Sequence, residues 1–507
     1  MQVAIRVDAA LVRGTGHVMR CLCLADALRE RGASIAFVTR DLPQALHTLV
    51  TGHGHQVVAL EGWPGAAAPA ADLPAEAAWS AAQQDADAAQ TVAALAALGL
   101  PVEILVVDHY ALGLRWEQAA RAGAARVVAI DDLAREHDCD VLLDQNFYAA
   151  PEARYAGRIP AAARALLGPQ HALLRPEFRS LRADLAPRSG ALQRILVFLG
   201  GMDAANLTGR ALDALDAAGL AGVATDVVIG AGHPQRDALA ARCASRGATT
   251  CHIQTPHIGA LMAAADLAVG AGGVATWERA ALGVPTLAIC IAENQREVLD
   301  DCSRAGLVCL APADTVPALT EQLRALAANP GLRVHLSRQG MACVDGLGAS
   351  RVVAALLGPA GIALRPAGAD DSADILAWRN APEVRAASRS DAPIAAAAHQ
   401  AWFDRVLADP ARHLLVGERD GAGVGVVRFD PDGPQSYEIS IYLAPGRAGR
   451  GEGAALLAAA EAWLRRAEPQ ARLIHAEVMA HNVVSLRLFE RGGYRWQSSR
   501  YSKDLVL

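Results

Sequence analysis

Long uncharged apolar runs are missing from this 507-residue chain. No stretch of about twenty apolar residues escapes a charge or a loop breaker, which argues against a membrane span. Paired cysteines of the metal-site kind are missing too. The nine cysteines lie scattered without a Cys-x-x-Cys, and Cys21 and Cys23 share a helix but point to different faces. Reduced thiols in a cytoplasmic protein fit this usage better than disulfides or zinc. Aromatic residues make up only 4% of the chain, too few for base-stacking platforms. Lys and Arg form no dense runs and the net charge is −6, which argues against a nucleic-acid groove. A secretory signal is not expected either, because Arg6 and Asp8 interrupt the window it would need. Internal repeats and coiled-coil heptads are absent. What the chain does have is core material: 52% of it is hydrophobic, much of that alanine, enough for about three domains.

The densest signal lies near the start. Val3, Ile5 and Val7 read as a short apolar strand, and Gly14-Thr15-Gly16-His17 then turns the chain. Val18, Cys21, Leu22, Ala25 and Leu28 follow at helical spacing on one face, and Gly32 closes the helix. A strand, a glycine-rich turn and a helix start set backbone N–H groups and a positive dipole end beside an open crevice. His17 stands at its mouth, where an imidazole can collect a proton at neutral pH. A histidine there can equally cap the helix or stack on the sheet.

Three αβ units follow one another. Residues 1–189 alternate strands (Ser34–Val38, Gln56–Ala59, Glu103–Val107, Arg126–Ile130, Val141–Leu143) with helical stretches, including the alanine-rich Gly65–Leu98. That alternation implies a mostly parallel sheet. Asp108-His109-Tyr110 and Asp131-Asp132 end apolar strands and so stand at the carboxyl edge, where open α/β sheets bind ligands. Residues 190–356 repeat the scheme with strands at Arg194–Leu199, Asp226–Ile229, Leu267–Val269 and Thr286–Ile289. After the third of these, Gly270-Ala271-Gly272-Gly273 opens a helix through Val274–Leu282. Amides at such a start cradle phosphate, although a bare tight turn reads the same. Glu278 lies one turn into that helix. Two αβ halves of this kind make a cleft suited to a nucleotide-linked ligand.

After a Gly/Pro linker at Leu357–Gly361 a third unit, 362–507, begins at Ile362–Pro366. Helices are predicted near Asp371–Trp378 and Ile394–Leu407, then strands at His413–Glu418, Val424–Phe429 and Tyr437–Leu443. Gly449-Arg450-Gly451-Glu452-Gly453 opens a helix (Ala454–Arg466), followed by strand Arg472–Val478 and helix Asn482–Glu490.

Val7-Asp8-Ala9 with Gly14–Arg20 resembles the UDP-sugar hydrolases of pseudaminic acid synthesis. So do Asp108-His109-Tyr110, Asp131-Asp132-Leu133, Leu173–Phe178, Gly200–Asp203, Gly272-Gly273 with Trp277-Glu278-Arg279, and Glu293-Asn294-Gln295. The resemblance runs in order over about the first 350 residues. It implies two facing Rossmann-like domains of the GT-B type. It also implies removal of UDP from UDP-2,4-diacetamido-2,4,6-trideoxy-β-L-altropyranose by water, without a metal. In that reading His17 activates water, and amides near Gly272 and Gly273 with the helix dipole meet the departing diphosphate. Glu278 then binds the ribose diol, Tyr110, Asn294 and Gln295 orient the sugar and its acetamido groups, and Arg13 joins the substrate-binding set. For Tyr110, Asn294 and Gln295 a loop or cap hydrogen bond is the plainer alternative.

The third unit resembles the GNAT N-acetyltransferases, an α+β fold. The resemblance rests on Trp378-Arg379-Asn380, His399 with Trp402-Phe403, the loop Gly449–Gly453, and Asn482 with Phe489–Tyr494. It implies acetyl-CoA as co-substrate, held by Gly449, Gly451 and Gly453 with Leu443 and Asn482. In the family's Gln/Arg-x-x-Gly-x-Gly the first position here is Ala448, with Arg447 before it. Phe489 stands where the family carries its tyrosine acid. Glu438, on the strand before the loop, reads either as a base acting through a water or as a solvated strand residue.

Together the resemblances imply two consecutive steps on UDP-amino-sugar substrates: N-acetylation of the 4-amino group, then UDP release, with no nucleic-acid or membrane partner. A glycosyltransferase whose product is acetylated, and a non-catalytic sugar-nucleotide-binding scaffold, are the alternatives.

Overall fold

The computed structural model describes residues 1–9, 16–63, 79–188, 192–358, 361–388, 390–419, 421–448, 451–479 and 481–495. Arg13, Gly14, Thr15 and Gly449 lie outside the described residues. The chain divides into two compact units, residues 1–358 and 359–507.

The first unit contains two parallel sheets. One is built from β1 (Gln2–Val7), β2 (Ser34–Thr39), β3 (Gln56–Ala59), β4 (Val102–Asp108), β5 (Ala124–Ile130), β6 (Val141–Asp144) and β7 (Arg164–Leu167), in the order β3-β2-β1-β4-β5-β6-β7. The other holds β8 (Arg194–Phe198), β9 (Ala224–Ile229), β10 (Thr249–Ile253), β11 (Leu267–Ala271), β12 (Thr286–Ile289) and β13 (Cys309–Leu310), in the order β10-β9-β8-β11-β12-β13. In each the strand order reverses beside the first strand, between β1 and β4 and between β8 and β11. Open parallel sheets carry their ligand crevice at that switch point. β1 and β11 are buried along their whole length; β11 reads as a continuous apolar run, whereas β1 also buries Gln2 and Arg6, the latter paired with Asp8 and Asp87. The strands that the hydrophobic pattern does not predict are β7, β10 and β13. All three are short, half-exposed strands toward the sheet edges, and such edges need no strong apolar signature.

Two helices cross between the halves. The apolar spacing of helix Gly16–Glu30 predicts one buried face, but Arg20 and Cys21–Ala25 are all buried. The outer side is covered by helix Gly348–Leu357, whose Val352, Val353 and Leu356 share a core with Val18, Leu22 and Leu28. Arg126 Nη1 donates to the Leu356 carbonyl at 2.9 Å. The chain therefore returns to the first sheet after completing the second, where the sequence pattern assigns residues up to 356 to the second domain. In the reverse direction, Tyr148, Leu174 and Phe178 pack with the second sheet's Leu196, Val228 and Ala268. The stretch Pro330–Leu357 is apolar enough by length and composition to cross a membrane. Here it is two helices, Pro330–Cys343 and Gly348–Leu357, with Leu336 in one core and Val352 in another.

Within the alanine-rich segment, helix Ala81–Ala96 starts on a capping box in which Ser80 and Gln83 exchange side-chain bonds with each other's N–H. Residues 65–78 of that segment lie outside the described residues.

The second unit is a five-stranded sheet of β14 (Ala363–Pro366), β15 (His413–Arg419), β16 (Ala422–Gly433), β17 (Ser436–Leu443) and β18 (Leu473–His475), in sequential order. Its pairs are antiparallel except the last, β17 with β18. The apolar run predicts a strand over 472–478, but β18 pairs only with Ser436–Glu438 and stops at His475. Beyond Glu438 the two strands part, and among the described residues the Ile439–Leu443 edge of β17 has no strand partner on that side. Helix Glu452–Ala467 follows β17.

Candidate functional site

β1 feeds, through residues 10–15, into the helix that begins at Gly16. His17 therefore stands at the carboxyl edge of β1, beside the end of β4. There its Nδ1 meets Asp108 Oδ1 at 2.6 Å. Arg20, one helical turn on, grips both oxygens of the same carboxylate, Nε to Oδ2 and Nη2 to Oδ1, each at 2.7 Å. Burial pushes the Asp108 carboxyl up, but Arg20 and then His17 outweigh it and hold the group well below the usual range. Asp108 is thus a fixed anion placed to accept a hydrogen bond from Nδ1–H of the ring, a tautomer that leaves the Nε2 lone pair as acceptor; Arg20 Nη2 also lies 3.1 Å from Nδ1. The His17 side chain keeps 21% of its surface exposed, enough to meet a ligand.

Tyr110 packs edge-on against His17 with ring centres 4.6 Å apart and donates its hydroxyl to Asp132 Oδ2 at 3.2 Å. Burial, reinforced by Asp132, pushes its phenol above the ordinary range, so it stays a neutral donor. From the other sheet Asn294 donates Nδ2 to the Tyr110 oxygen at 3.5 Å. Asn294 Oδ1 is buried with no hydrogen-bond partner. His17, Tyr110 and Asn294, widely separated in the chain, thus meet across the two sheets.

Gln295 lies against the glycine turn after β11: a Cβ on Gly272 would come within 2.9 Å of Gln295 Oε1. Gly273 has φ +101°, a conformation that side-chain-bearing residues rarely adopt. The turn leads into helix Val274–Ala281. Glu278 is mostly covered, its Oε1 3.7 Å from Arg175 Nη2, and burial raises its carboxyl above the usual value. It faces Arg175 and makes no contact with the His17 cluster.

In the second unit Gly451 adopts φ +74° with open space where a Cβ would stand. A Cβ on Gly453 would stand 3.7 to 3.9 Å from the Leu488 and Leu443 side chains. These residues leave a bare backbone at a helix start beside the parted end of β17. The Asn482 side chain is committed on both sides: Oδ1 caps helix Val483–Arg491 by accepting from Ser485 N at 3.1 Å, and Nδ2 donates to the Ala387 carbonyl at 3.1 Å. Glu438 sits in register with Asp430 on one side and His475 on the other. Phe489 is a core residue packed edge-on to Tyr494. Arg447 is tied to buried Glu452 at 3.3 Å.

Sequence reasoning places Asp108 at a sheet edge but assigns it no role, and it passes over Arg20. The usable signal is their spacing: a carboxylate ending the strand next to β1, and an arginine one turn after the histidine.

Residues 373–494 match the acetyltransferase (GNAT) family, so the second unit carries a GNAT domain. The chain is similar to the spore coat polysaccharide biosynthesis protein SpsG of Bacillus subtilis, 30% identical over 193 residues, 37% of this chain and 57% of the relative. It is also similar to the UDP-2,4-diacetamido-2,4,6-trideoxy-beta-L-altropyranose hydrolase of Campylobacter jejuni, 28% identical over 107 residues, 21% of this chain and 38% of the relative. The chain thus spans less than two thirds of either relative. Among solved structures, Acinetobacter baumannii MurG aligns over 70% of this chain and 98% of its own at 15% identity and a TM-score of 0.49. The chain therefore joins a region similar to sugar-nucleotide-processing proteins to an acetyltransferase domain.

Proposed function

We propose that the chain performs two consecutive steps in making a nonulosonic acid precursor. It acetylates the 4-amino group of a UDP-4-amino-4,6-dideoxy-2-acetamido sugar, then releases UDP from the resulting UDP-2,4-diacetamido-2,4,6-trideoxy-β-L-altropyranose. The observation that carries the second step is the His17–Asp108 pair at 2.6 Å, set against Tyr110 and Asn294. Water attacks the anomeric carbon while His17 Nε2 takes its proton. The bond from that carbon to the β-phosphate oxygen breaks, and its electrons leave with UDP. Asp108 stabilises the imidazolium formed, an orienting role that suits a general base. The diphosphate gathers charge as it departs, and the amides of the Gly272-Gly273 turn with the helix dipole meet that charge. The orphaned Asn294 Oδ1 is an acceptor of the kind an acetamido N–H requires, because a buried carbonyl without a donor is costly. Glu278 is assigned to the ribose diol, and Arg13 and Gln295 to substrate binding.

For the first step, Gly451 and Gly453 with the open edge at Leu443 suit the pantetheine and diphosphate of acetyl-CoA, which supplies the acetyl group as a thioester. Gly449 joins them by resemblance. Glu438 is proposed as the base that takes the ammonium proton through a water. Asn482, already spent on a helix cap, is assigned a part in shaping that site.

The test is mass spectrometry of the purified protein with acetyl-CoA and a panel of UDP-4-amino sugars. An acetylated sugar, followed by free UDP without any acceptor sugar, is expected. UDP release that needs an acceptor sugar would make the first unit a glycosyltransferase instead.

A further inference from the structure

Arg279 sits on the second turn of helix Val274–Ala281 and is 1% exposed. Its guanidinium folds back beneath the end of β11. Nη2 donates to the Ala271 carbonyl at 2.8 Å and to Thr276 Oγ1 at 3.3 Å. Nη1 lies so close to Gly270 that a Cβ there would come within 2.6 Å of it. Nε and Nη1 have no hydrogen-bond partner. Among the described residues no carboxylate stands within ion-pair reach of it, and the neighbouring Glu278 is turned to Arg175. Arg6, buried as deeply, pairs with both Asp8 and Asp87. Burial lowers the Arg279 guanidinium to about 10, which leaves it cationic at neutral pH.

A buried cation without an ion-pair partner is costly, so its place matters. It lies directly under the two residues that lead into the Gly272-Gly273 turn, where the amides and dipole of an eight-residue helix already favour an anion. We propose that Arg279 is a positioning residue for a diphosphate bound at this turn. Its charge has no ion-pair partner until the ligand supplies the anion, the field of the neighbouring Glu278 offsetting burial only in part, and its bond to the Ala271 carbonyl sets the peptide that enters the turn. This inference rests on the turn being the diphosphate site of the proposed hydrolase. The arginine does not touch the ligand; it acts through the backbone and through its field, which is strong in a buried setting.

Calorimetric titration of the full-length parent, Arg279→Met and Arg279→Lys with UDP and with uridine tests it. The Met variant should lose at least about tenfold in UDP affinity while uridine binding stays within about twofold. Lysine, which keeps the charge, should restore most of the UDP affinity. Without ligand the Met variant should melt no lower than the parent, because a buried unpaired charge has been removed. Equal loss of UDP and uridine would mean a merely structural role, and unchanged UDP affinity would mean none; either result overturns the proposal. If the Met variant does not fold, the lysine variant decides: parent-like UDP binding supports the charge role, and its loss refutes it. A parent that binds neither compound would instead refute the diphosphate site itself.

Discussion

At the carboxyl ends of the first sheet's strands stand ionisable side chains: Asp8 after β1, Asp108 on β4, Asp131 after β5 and Asp144 on β6. The second sheet's central strands β8 and β11 run out instead into Gly200-Gly201 and Gly272-Gly273. One edge offers groups that hold or move protons, the other bare backbone with an unpaired cation beneath it. Hydrolysis of a glycosyl diphosphate has the same two needs, a base for water and donors for the leaving group. The crossing helices Gly348–Leu357 and Pro176–Ala183 pack the two halves into one unit. Changes at the first edge should therefore fall on the chemical step, and changes at the second on ligand binding.

The largest effect expected is at His17. His17→Ala should lower kcat for UDP release by about 10²–10⁴ and leave acetyl transfer intact, as read by a UDP-release assay and an acetyl-CoA assay on one preparation. Retention of more than about a tenth of the hydrolysis would remove histidine from the role of base. Next comes Asp108→Asn, which keeps the size of the side chain but not its charge. A loss of about 10- to 100-fold in kcat with a shifted pH–rate profile is expected, because the carboxylate orients the ring and stabilises the imidazolium formed when it takes the proton. An unshifted profile would make Asp108 merely structural.

On the second edge Glu278→Ala should raise KM for the UDP-sugar by roughly tenfold and change kcat less, because ribose is held in both ground and transition states. Initial rates over a range of substrate concentration would show it. An unchanged KM would place the ribose elsewhere.

The smallest effect concerns stability. His137 is buried between Glu117 (2.7 Å) and Asp131 (3.4 Å); burial disfavours its charge, but the two carboxylates raise it to about 9. A folded-state value above the unfolded one of about 6.5 gives stability that is full below that pH and is lost as pH rises through 9. Burial lifts Asp144 to about 7, so the folded state also favours its protonated form, and that contribution fades between about 4 and 7. Both have the same sign, so these two groups together should lower the melting temperature as pH rises, against the opposite contribution of His109 and His171, whose burial lowers their values. Asp144→Asn should flatten the lower part of the curve and His137→Gln the upper, each by roughly 2–4 °C. A curve unchanged in both variants would locate the pH sensitivity away from this edge.

The alternation of strands and helices, the glycine turn at Gly272-Gly273 and the break near Gly358 were legible in the chain. Each is a local matter: a strand buried on both faces is apolar throughout, a turn needs glycine, and a linker lacks periodicity. His17 could be singled out for the same reason, from its place just after a strand and a turn. Its partner could not, because Asp108 lies 91 residues away and only the adjacency of β1 and β4 brings the two together. Nor could the meeting of Tyr110 with Asn294, 184 residues apart, or the return of helix Gly348–Leu357 to the first sheet. The pattern of residues along the chain determined which segments are strands and helices, because neighbours two to four positions apart share a face. Tertiary structure alone decided which strand ends face one another, since the order of strands in a parallel sheet is set by crossovers that no local spacing records.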